Sequence, residues 1–149
     1  MGCVGNDGIG KMLRQSVKAS GLLASLIQIS PTHPTSIVLV SRSQSSPDFT
    51  VYRGADSQLE VIEQSLISAA IVHTTAFALS KKPAQTTFLT ALQTPYALGK
   101  TISVDWNFAP SVWRGDDGWE IFYCYYPFAA AAKSQHRRYG AFFRCSTIY

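Results

Sequence analysis

The residues best suited to chemistry lie in one stretch, residues 102–113. A short apolar strand here delivers Asp105 and Asn107 into a loop that Pro110 closes and Trp113 anchors. A carboxylate and a carboxamide can hold a polar ligand through hydrogen bonds. Because open α/β sheets bind their ligands at the carboxyl ends of the strands, this stretch predicts a ligand-binding site.

A second pair, Tyr52 and Arg53, follows a short stretch that alternates as a strand does. Arginine offers a fork of N–H donors, and tyrosine offers an apolar face with a hydroxyl tip. The pair either contacts a ligand or forms the end of a strand with a solvated arginine, and the sequence leaves both interpretations open. His73 lies inside an apolar stretch, which favours a packed core histidine over a catalytic base.

The segment from Gly5 to Lys11 nearly matches a Walker phosphate loop. Met12 stands where that loop needs a magnesium-binding serine or threonine, and we expect no strand before the segment. The glycine intervals also differ from the Gly-x-Gly-x-x-Gly fingerprint of nicotinamide-dependent oxidoreductases, which makes that class unfavoured. We interpret the segment as a tight turn into a helix, with Asp7 as the capping residue.

The helices and strands that position these residues alternate along the chain. Apolar residues at helical spacing and a left-handed cap at Gly21 predict a helix over residues 8–20. An apolar, extended stretch over residues 22–29 and two short strands, 36–40 and 49–52, predict a small sheet or a hairpin. There follow a helix started by a Ser57–Glu60 capping box, a buried parallel strand over 70–75, a helix from Pro83 that Pro95 stops, and a strand over 101–105. This order predicts an α/β fold.

Composition and charge indicate a globular body with a basic tail. The chain has 149 residues, of which 46% are hydrophobic and 15% charged, as in one domain with a buried core. Residues 1–120 hold nine basic and nine acidic residues, whereas residues 121–149 hold four basic residues and no acidic one. The tail is rich in tyrosine and phenylalanine. It is either a nucleic-acid-binding arm or a segment outside the fold, such as the product of a shifted reading frame, and we favour the second.

Cysteine usage and the absence of targeting signals bear on the compartment. Cys3, Cys124 and Cys145 are widely spaced and odd in number, which argues against a disulfide framework and against a Cys-x-x-Cys metal site. No apolar run reaches the roughly 18 residues that a membrane span needs, and the N-terminus lacks the pattern of a signal peptide. We therefore expect a cytoplasmic protein with neither a structural metal nor a membrane partner.

Five motifs, taken in order, resemble those of the PfkB, or ribokinase-like, carbohydrate kinases. The turn at residues 2–10 is similar to the family's Gly-x-Val-Gly-x-Asp-x-x-Gly element. The others are Gly21, Pro34-Thr35, residues 52–56 and residues 105–113, which are similar to the Gly-Val, Pro-Thr, Tyr-Arg-x-Ala and Asp-x-Asn-x-Arg-Pro-x-x-Trp elements. Ala109 replaces the arginine of the last element, which weakens the case for a carboxylate-bearing substrate. The resemblance predicts a partial PfkB domain over residues 1–120 and a separate tail over 121–149.

The resemblance implies a partial ribokinase-like, Rossmann-like parallel sheet with flanking helices and a small β lid. It also implies ATP-dependent phosphorylation of a sugar hydroxyl, as in a fructokinase or a 2-keto-3-deoxygluconate kinase, with ATP and Mg²⁺ as cofactors. Tyr52, Arg53, Asp105 and Asn107 match substrate-binding positions for a small-molecule sugar. In the full-length family the lid would form a homodimer.

Two parts of the family pattern are not found in this sequence, the Gly-Gly-x-x-Asn substrate loop and the Gly-x-Gly-Asp catalytic turn. The second supplies the anion hole for phosphoryl transfer, so no catalytic residue is assigned and the ATP-binding region is largely absent. We therefore expect the chain alone to be inactive. The alternative is a non-catalytic α/β binding module with a basic nucleic-acid-binding tail, which we favour less.

Overall fold

The computed structural model describes residues 1–41, 48–106, 113, 118, 120, 121, 123 and 131–134. The chain divides into two compact units. The first unit comprises Met1–Glu60 and Lys82–Ala84, and the second comprises Val61–Lys81 and Gln85–Tyr149. Each unit combines helices with strands, which confirms the predicted α/β class.

A βαβ motif opens the first unit. Strands β1 (Gly2–Gly5) and β2 (Ile27–Ser30) pair in parallel, and helix α1 (Gly8–Ala19) connects them. Our expectation that no strand precedes the glycine-rich segment is therefore wrong. Four residues suffice here because β2 supplies backbone partners along the whole length of β1.

Both ends of α1 follow the caps that the sequence predicts. The Asp7 carboxylate accepts a hydrogen bond of 2.8 Å from the Gly10 N–H in the first turn. At the other end Gly21 has φ +76° and its N–H bonds to the Lys18 carbonyl, while the following N–H bonds to the Val17 carbonyl. This pattern is a Schellman motif, which needs the left-handed conformation that glycine adopts without strain.

A β hairpin follows in the first unit. Strands β3 (Ile37–Ser41) and β4 (Asp48–Tyr52) pair antiparallel, with Ile37 opposite Tyr52, which confirms both predicted strands to within one residue at each end. Every residue of β3 is exposed, and its apolar side chains range from 40% exposed at Ile37 to 55% exposed at Leu39. An antiparallel sheet normally buries at least one apolar face. This hairpin instead exposes the apolar side chains of β3, and such a surface is typical of an interaction site.

The segment after β4 departs from the prediction. A 3₁₀ turn forms over Ala55–Gln58, and helix α2 spans only Glu63–Ser68. The Ser57 hydroxyl donates to the Gly54 carbonyl at 2.8 Å, and the Glu60 N–H bonds to a glutamine side chain of β2. The predicted Ser57–Glu60 capping box is therefore wrong, because groups outside the predicted helix already bind both residues.

The second unit contains a parallel sheet in the strand order β5, β6, β7. Strand β5 (Ile71–Thr75) pairs with β6 (Thr101–Trp106), which pairs on its other edge with β7 (Ala131–Ser134). The strands predicted over 70–75 and 101–105 are thus confirmed. Strand β7 comes from the basic segment 121–149, most of which lies outside the described residues. The boundary at residue 120 and the separate tail stay predictions.

One face of the β5–β6 pair is buried and the other is open. Val72 and Val104 are at most 5% exposed, whereas Ile71 is 62% exposed. The alternation follows from the two-residue period of a strand, so the prediction of a buried strand over 70–75 holds for one face only. Among the described residues of this unit, the buried apolar ones are Leu66, Val72, Ala76, Leu79, Phe88, Leu92, Ile102, Val104 and Trp113.

Three helices link these strands along the chain. Helix α3 (Ala76–Leu79) follows β5, α4 (Ala84–Ala91) begins one residue after the predicted start at Pro83, and α5 is Gln93–Ala97. Pro95 does not stop the helix as predicted but lies in the first turn of α5. A proline is tolerated there because an N–H in the first turn has no intrahelical acceptor. In the part of the chain that the structure describes, no helix is long and apolar enough to cross a bilayer.

Candidate functional site

Tyr52 and Arg53 lie together where β4 ends, in the first unit. The Tyr52 side chain is 59% exposed, so its ring and hydroxyl are accessible to a ligand. Arg53 differs from the solvated arginine of the alternative interpretation, because its side chain is only 10% exposed. The Arg53 Nε lies 2.6 Å from the Asp56 Oδ2, a charge-assisted contact that orients the guanidinium.

Asp56 is held in turn by two donors. Its Oδ1 accepts hydrogen bonds from the Ser36 hydroxyl and from the Gly54 N–H, the latter at 3.2 Å. The Ser36 oxygen also accepts from the Gly54 N–H at 2.8 Å. Sequence reasoning missed both Asp56 and Ser36. The Arg-x-x-Asp spacing was a signal for the first, whereas Ser36 is brought near only by the hairpin.

A second hydrogen-bond cluster joins the turn after β1 to the loop before β3. The Thr35 N–H donates to one oxygen of the Asp7 carboxylate at 2.7 Å, and the Thr35 hydroxyl donates to the other at 2.8 Å. The Gly5 N–H donates to the same hydroxyl at 2.9 Å. These donors hold the pKa of Asp7 below its usual value, with the Thr35 N–H as the largest cause and the Gly10 N–H next.

This cluster decides the phosphate-loop question. Strand β1, a glycine turn and α1 give the order of a phosphate-binding loop, but the Asp7 carboxylate already occupies the amino end of the helix. A carboxylate there satisfies the N–H groups and complements the helix dipole. It would also repel a phosphate, so the interpretation of Asp7 as a structural cap is confirmed.

Two glycines permit close backbone approaches in the first unit. A Cβ on Gly54 would lie 2.2 Å from the Pro34 carbonyl oxygen, and a Cβ on Gly10 would lie 2.2 Å from the Gly5 carbonyl oxygen. The Ala55 N–H donates to the same Pro34 oxygen at 2.8 Å. The loop at Pro34 is therefore fixed by contact with the segment that carries Arg53.

Asp105 belongs to the second unit. It is half-buried in β6, where it lies opposite Thr75 of β5 and Lys133 of β7. This register places Asp105 near the carboxyl end of two parallel strands, as the sequence predicts. Asn107, the other predicted residue of this motif, lies outside the described residues, and so do Ala109 and Arg114.

His73 is not the packed core histidine that the sequence favours. It lies on the open face of β5, and its Nδ1 is 3.1 Å from the Ser103 hydroxyl on the neighbouring strand. The apolar stretch suggested burial, but the strand period puts His73 on the opposite face from Val72 and Thr74.

The second unit also has an open groove of about 530 Å³ that the sequence did not indicate. Its polar lining includes Glu63, whose carboxylate accepts a hydrogen bond of 3.0 Å from the Thr94 hydroxyl. The full lining is Val61, Glu63, Thr86, Thr87, Thr90, Ala91, Gln93 and Thr94. Three of its threonine hydroxyls come from α4 and the fourth, that of Thr94, from α5, and nothing in the sequence marks these threonines as a site.

Comparison with known proteins decides among the function classes. The family described as pfkB family carbohydrate kinase matches residues 1–121 of this chain. The chain belongs to the PfkB family of carbohydrate kinases. The match contains all five motifs that carry the resemblance, and it ends at the start of the basic segment.

Individual PfkB relatives carry two kinds of name. Over 121 residues the chain is 30% identical to an ATP-dependent 6-phosphofructokinase of Thermoanaerobacterium thermosaccharolyticum, covering 78% of this chain and 37% of the relative. The solved fructokinase of Halothermothrix orenii is 30% identical with a TM-score of 0.80, covering 88% of this chain and 48% of that one. A fructokinase of Vibrio cholerae O395, solved with fructose, ADP and calcium, is 23% identical with a TM-score of 0.68, covering 89% and 44%. This chain therefore spans less than half the length of each of these relatives.

The PfkB motifs of the first unit contact one another. Asp7 of the glycine turn binds Thr35 of the Pro-Thr element, and Pro34 accepts from Ala55 of the Tyr-Arg-x-Ala element. Three of the five motifs thus form one hydrogen-bonded joint. These hydrogen bonds fix the backbone next to Tyr52 and Arg53.

The described residues do not fit the ATP and Mg²⁺ that the family implies. Within the described ranges, no group of three or more His, Cys, Asp and Glu side chains could hold a metal ion. The amino end of α1, which has the local order of a phosphate loop, is filled by Asp7. No step of phosphoryl transfer is therefore assigned to the described residues.

Proposed function

We propose that this chain carries sugar-side elements of a cytoplasmic PfkB kinase that phosphorylates a sugar hydroxyl with ATP. A fructokinase-like reaction is the form favoured, with a 2-keto-3-deoxygluconate kinase-like reaction second. The relatives described above are named fructokinase or 6-phosphofructokinase. One fructokinase was solved with fructose and ADP. These names support a small-molecule sugar as the partner of the complete protein.

The observation that carries the proposal is the arrangement at the end of β4. An accessible tyrosine, 59% exposed, follows directly on the strand, and the adjacent arginine is held rigidly by Asp56. A ring with a hydroxyl tip beside an ordered guanidinium can pack on a sugar face while hydrogen-bonding its hydroxyl groups. Asp105 and Asn107 are proposed as the further substrate-binding residues.

We also propose that the hairpin of β3 and β4 forms a homodimer, as the lid of the full-length family would. Support comes from the continuous exposure of Ile37, Val38, Leu39 and Val40, all at least 40% exposed. Phe49 on the neighbouring strand is 41% exposed. Burial of such a ribbon against a second copy would remove apolar surface from water on both chains.

Sugar binding and ATP turnover by the purified chain test the proposal. In titration calorimetry with fructose, Arg53→Ala should weaken binding more than its control Arg114→Ala, because Arg53 lies beside the accessible tyrosine. Sugar-dependent ATP turnover should stay far below the about 1 to 100 per second of ordinary kinases, for want of the Gly-x-Gly-Asp turn. Equal effects of the two substitutions would remove Arg53 from the site, and kinase-like turnover would contradict the inactivity of this chain.

A further inference from the structure

We propose that Asp56 is a specificity-determining residue that neutralises Arg53 and thereby selects uncharged sugars over sugar phosphates and sugar acids. The inference rests on the proposed function, in which Tyr52 and Arg53 contact the sugar. It addresses a choice that the relatives leave open, since their names divide between fructokinase and 6-phosphofructokinase.

The charge at the site follows from the ion pair. Asp56 Oδ2 lies 2.6 Å from Arg53 Nε, and the side chains are only 25% and 10% exposed. At this separation and burial, water screens the two charges poorly from each other, so each strongly compensates the other. A ligand that approaches beside Tyr52 therefore meets a dipole with no net charge. Such a dipole can bind hydroxyl groups, but it does not attract a phosphate or a carboxylate as a lone guanidinium would.

Asp56 cannot easily turn away to release the arginine. Its second oxygen accepts from the Ser36 hydroxyl and from the Gly54 N–H. Rotation of the carboxylate would leave the Gly54 N–H with a single acceptor, the Ser36 oxygen, and would leave the hydroxyl without its carboxylate acceptor. Losing hydrogen bonds at a site shielded from water is costly, so the pair stays closed when an anionic ligand arrives.

The fixed backbone adds to this constraint. Gly54 approaches the Pro34 carbonyl too closely for any side chain, and the Ala55 N–H bonds to that carbonyl. The turn that carries both charged residues is thus held against the neighbouring loop at the Pro34 carbonyl. The separation between the two charges is therefore set by the backbone as well as by their attraction.

The substitution Asp56→Asn tests the proposal with little change of shape. An asparagine oxygen can still accept from Ser36 and Gly54, but it no longer neutralises Arg53. Titration calorimetry of the full wild-type chain should show that it binds fructose at least as tightly as it binds fructose 6-phosphate. In Asp56→Asn, affinity for the phosphate ester should rise about tenfold relative to fructose, and this gain should shrink at high salt.

Three further variants separate charge from structure. Ser36→Ala keeps both charges and should leave the order of the two sugars unchanged, as should Asp56→Glu. Arg53→Gln leaves the Asp56 carboxylate alone and should lower affinity for fructose 6-phosphate about tenfold relative to fructose, which provides a test if Asp56→Asn does not fold. If Asp56 had only a structural role, Asp56→Asn would lower the affinity for both sugars equally.

The outcomes distinguish this inference from the function on which it rests. An unchanged preference in Asp56→Asn and Arg53→Gln, or a wild type that prefers the phosphate ester, overturns the role of Asp56 while sugar binding stands. Failure of the wild type to bind either sugar overturns both the role of Asp56 and the proposed function. A shift of preference toward the phosphate ester in Asp56→Asn, with unchanged preference in Ser36→Ala, supports the proposal.

Discussion

At the scale of single residues, the motif positions of this PfkB chain act mainly on the backbone. Asp7 and Thr35 are 28 positions apart, yet three hydrogen bonds join Asp7, Thr35 and Gly5. The sequence predicts Asp7 as a cap because capping depends on neighbours three positions away. It does not predict the partner Thr35, since that contact exists only once β1 and the following loop have come together.

Removing the Thr35 hydroxyl should destabilise the first unit. Thr35→Val leaves the Gly5 N–H and one carboxylate oxygen of Asp7 without this partner in a site where Thr35 is 6% exposed. We expect a loss of about 1 to 3 kcal/mol in the free energy of unfolding by urea. Thr35→Ser keeps the hydroxyl and should cost about 1 kcal/mol or less. Equal losses in the two variants would show that the methyl group, rather than the hydrogen bonds, matters.

The low pKa of Asp7 predicts a pH dependence of stability. Because its folded pKa lies below the unfolded value of about 3.9, the carboxylate stabilises the fold at pH values above about 4. This contribution should be lost as the pH falls from there through the folded pKa. The free energies of unfolding by urea of the wild type and of Asp7→Asn should therefore differ most near pH 7 and become similar in acid. A difference that stays constant down to pH 3 would contradict the assignment.

At the scale of elements, the periodicity of apolar residues predicts most helices and strands. It does not predict which of their faces are buried. The helical spacing of Ile9, Met12 and Leu13 predicts α1 correctly, yet all three side chains are at least 40% exposed. The prediction for His73 was wrong for the same reason, because an apolar stretch does not indicate which face of the strand is buried. The Ser57–Glu60 pattern failed for a related reason, since tertiary hydrogen bonds took both residues.

The approach of the Gly54 turn to the loop at Pro34 should not tolerate a side chain. Gly54→Ala places a Cβ 2.2 Å from the Pro34 carbonyl oxygen and must displace the hydrogen bond from Ala55. We expect unfolding to become easier by about 1 to 3 kcal/mol. The matched control is Gly8→Ala in α1, where a Cβ meets nothing within 4 Å and should be neutral or stabilising by about 0.5 to 1 kcal/mol. Thermal or urea melts of both variants measure this, and similar melts would show that the turn relaxes freely.

At the scale of the whole molecule, this PfkB chain spans 37% and 48% of two relatives that it matches at 30% identity. Composition and motif order could predict the family and the α/β class because they sum over many positions. They could not predict the two-unit division or the strand β7, which depend on contacts between distant segments. Nor could they predict that Arg53 pairs with Asp56, the ion pair on which our proposed choice of sugar rests.

Association through the hairpin should appear in the mass of the purified chain. Leu39→Asp puts a charge into the exposed ribbon and should shift sedimentation toward the monomer, because burying an unpaired carboxylate is unfavourable. Leu23→Asp is the control, since Leu23 lies outside the hairpin and is a still more exposed leucine, 69% exposed against 55% for Leu39. A monomeric wild type, or an equal effect of the two substitutions, would exclude the hairpin as the dimer contact.

The three sheets that the structure describes are completed one after another along the chain, and this bears on folding during synthesis. The pair β1–β2 ends at Ser30, the hairpin ends at Tyr52, and the β5–β6–β7 sheet begins only at Ile71. No strand of a described sheet waits for a partner from a later sheet. At elongation rates of about 5 to 20 residues per second, the first pair has seconds outside the ribosome before β5 emerges. The nascent chain can therefore assemble its sheets in the order in which they are translated.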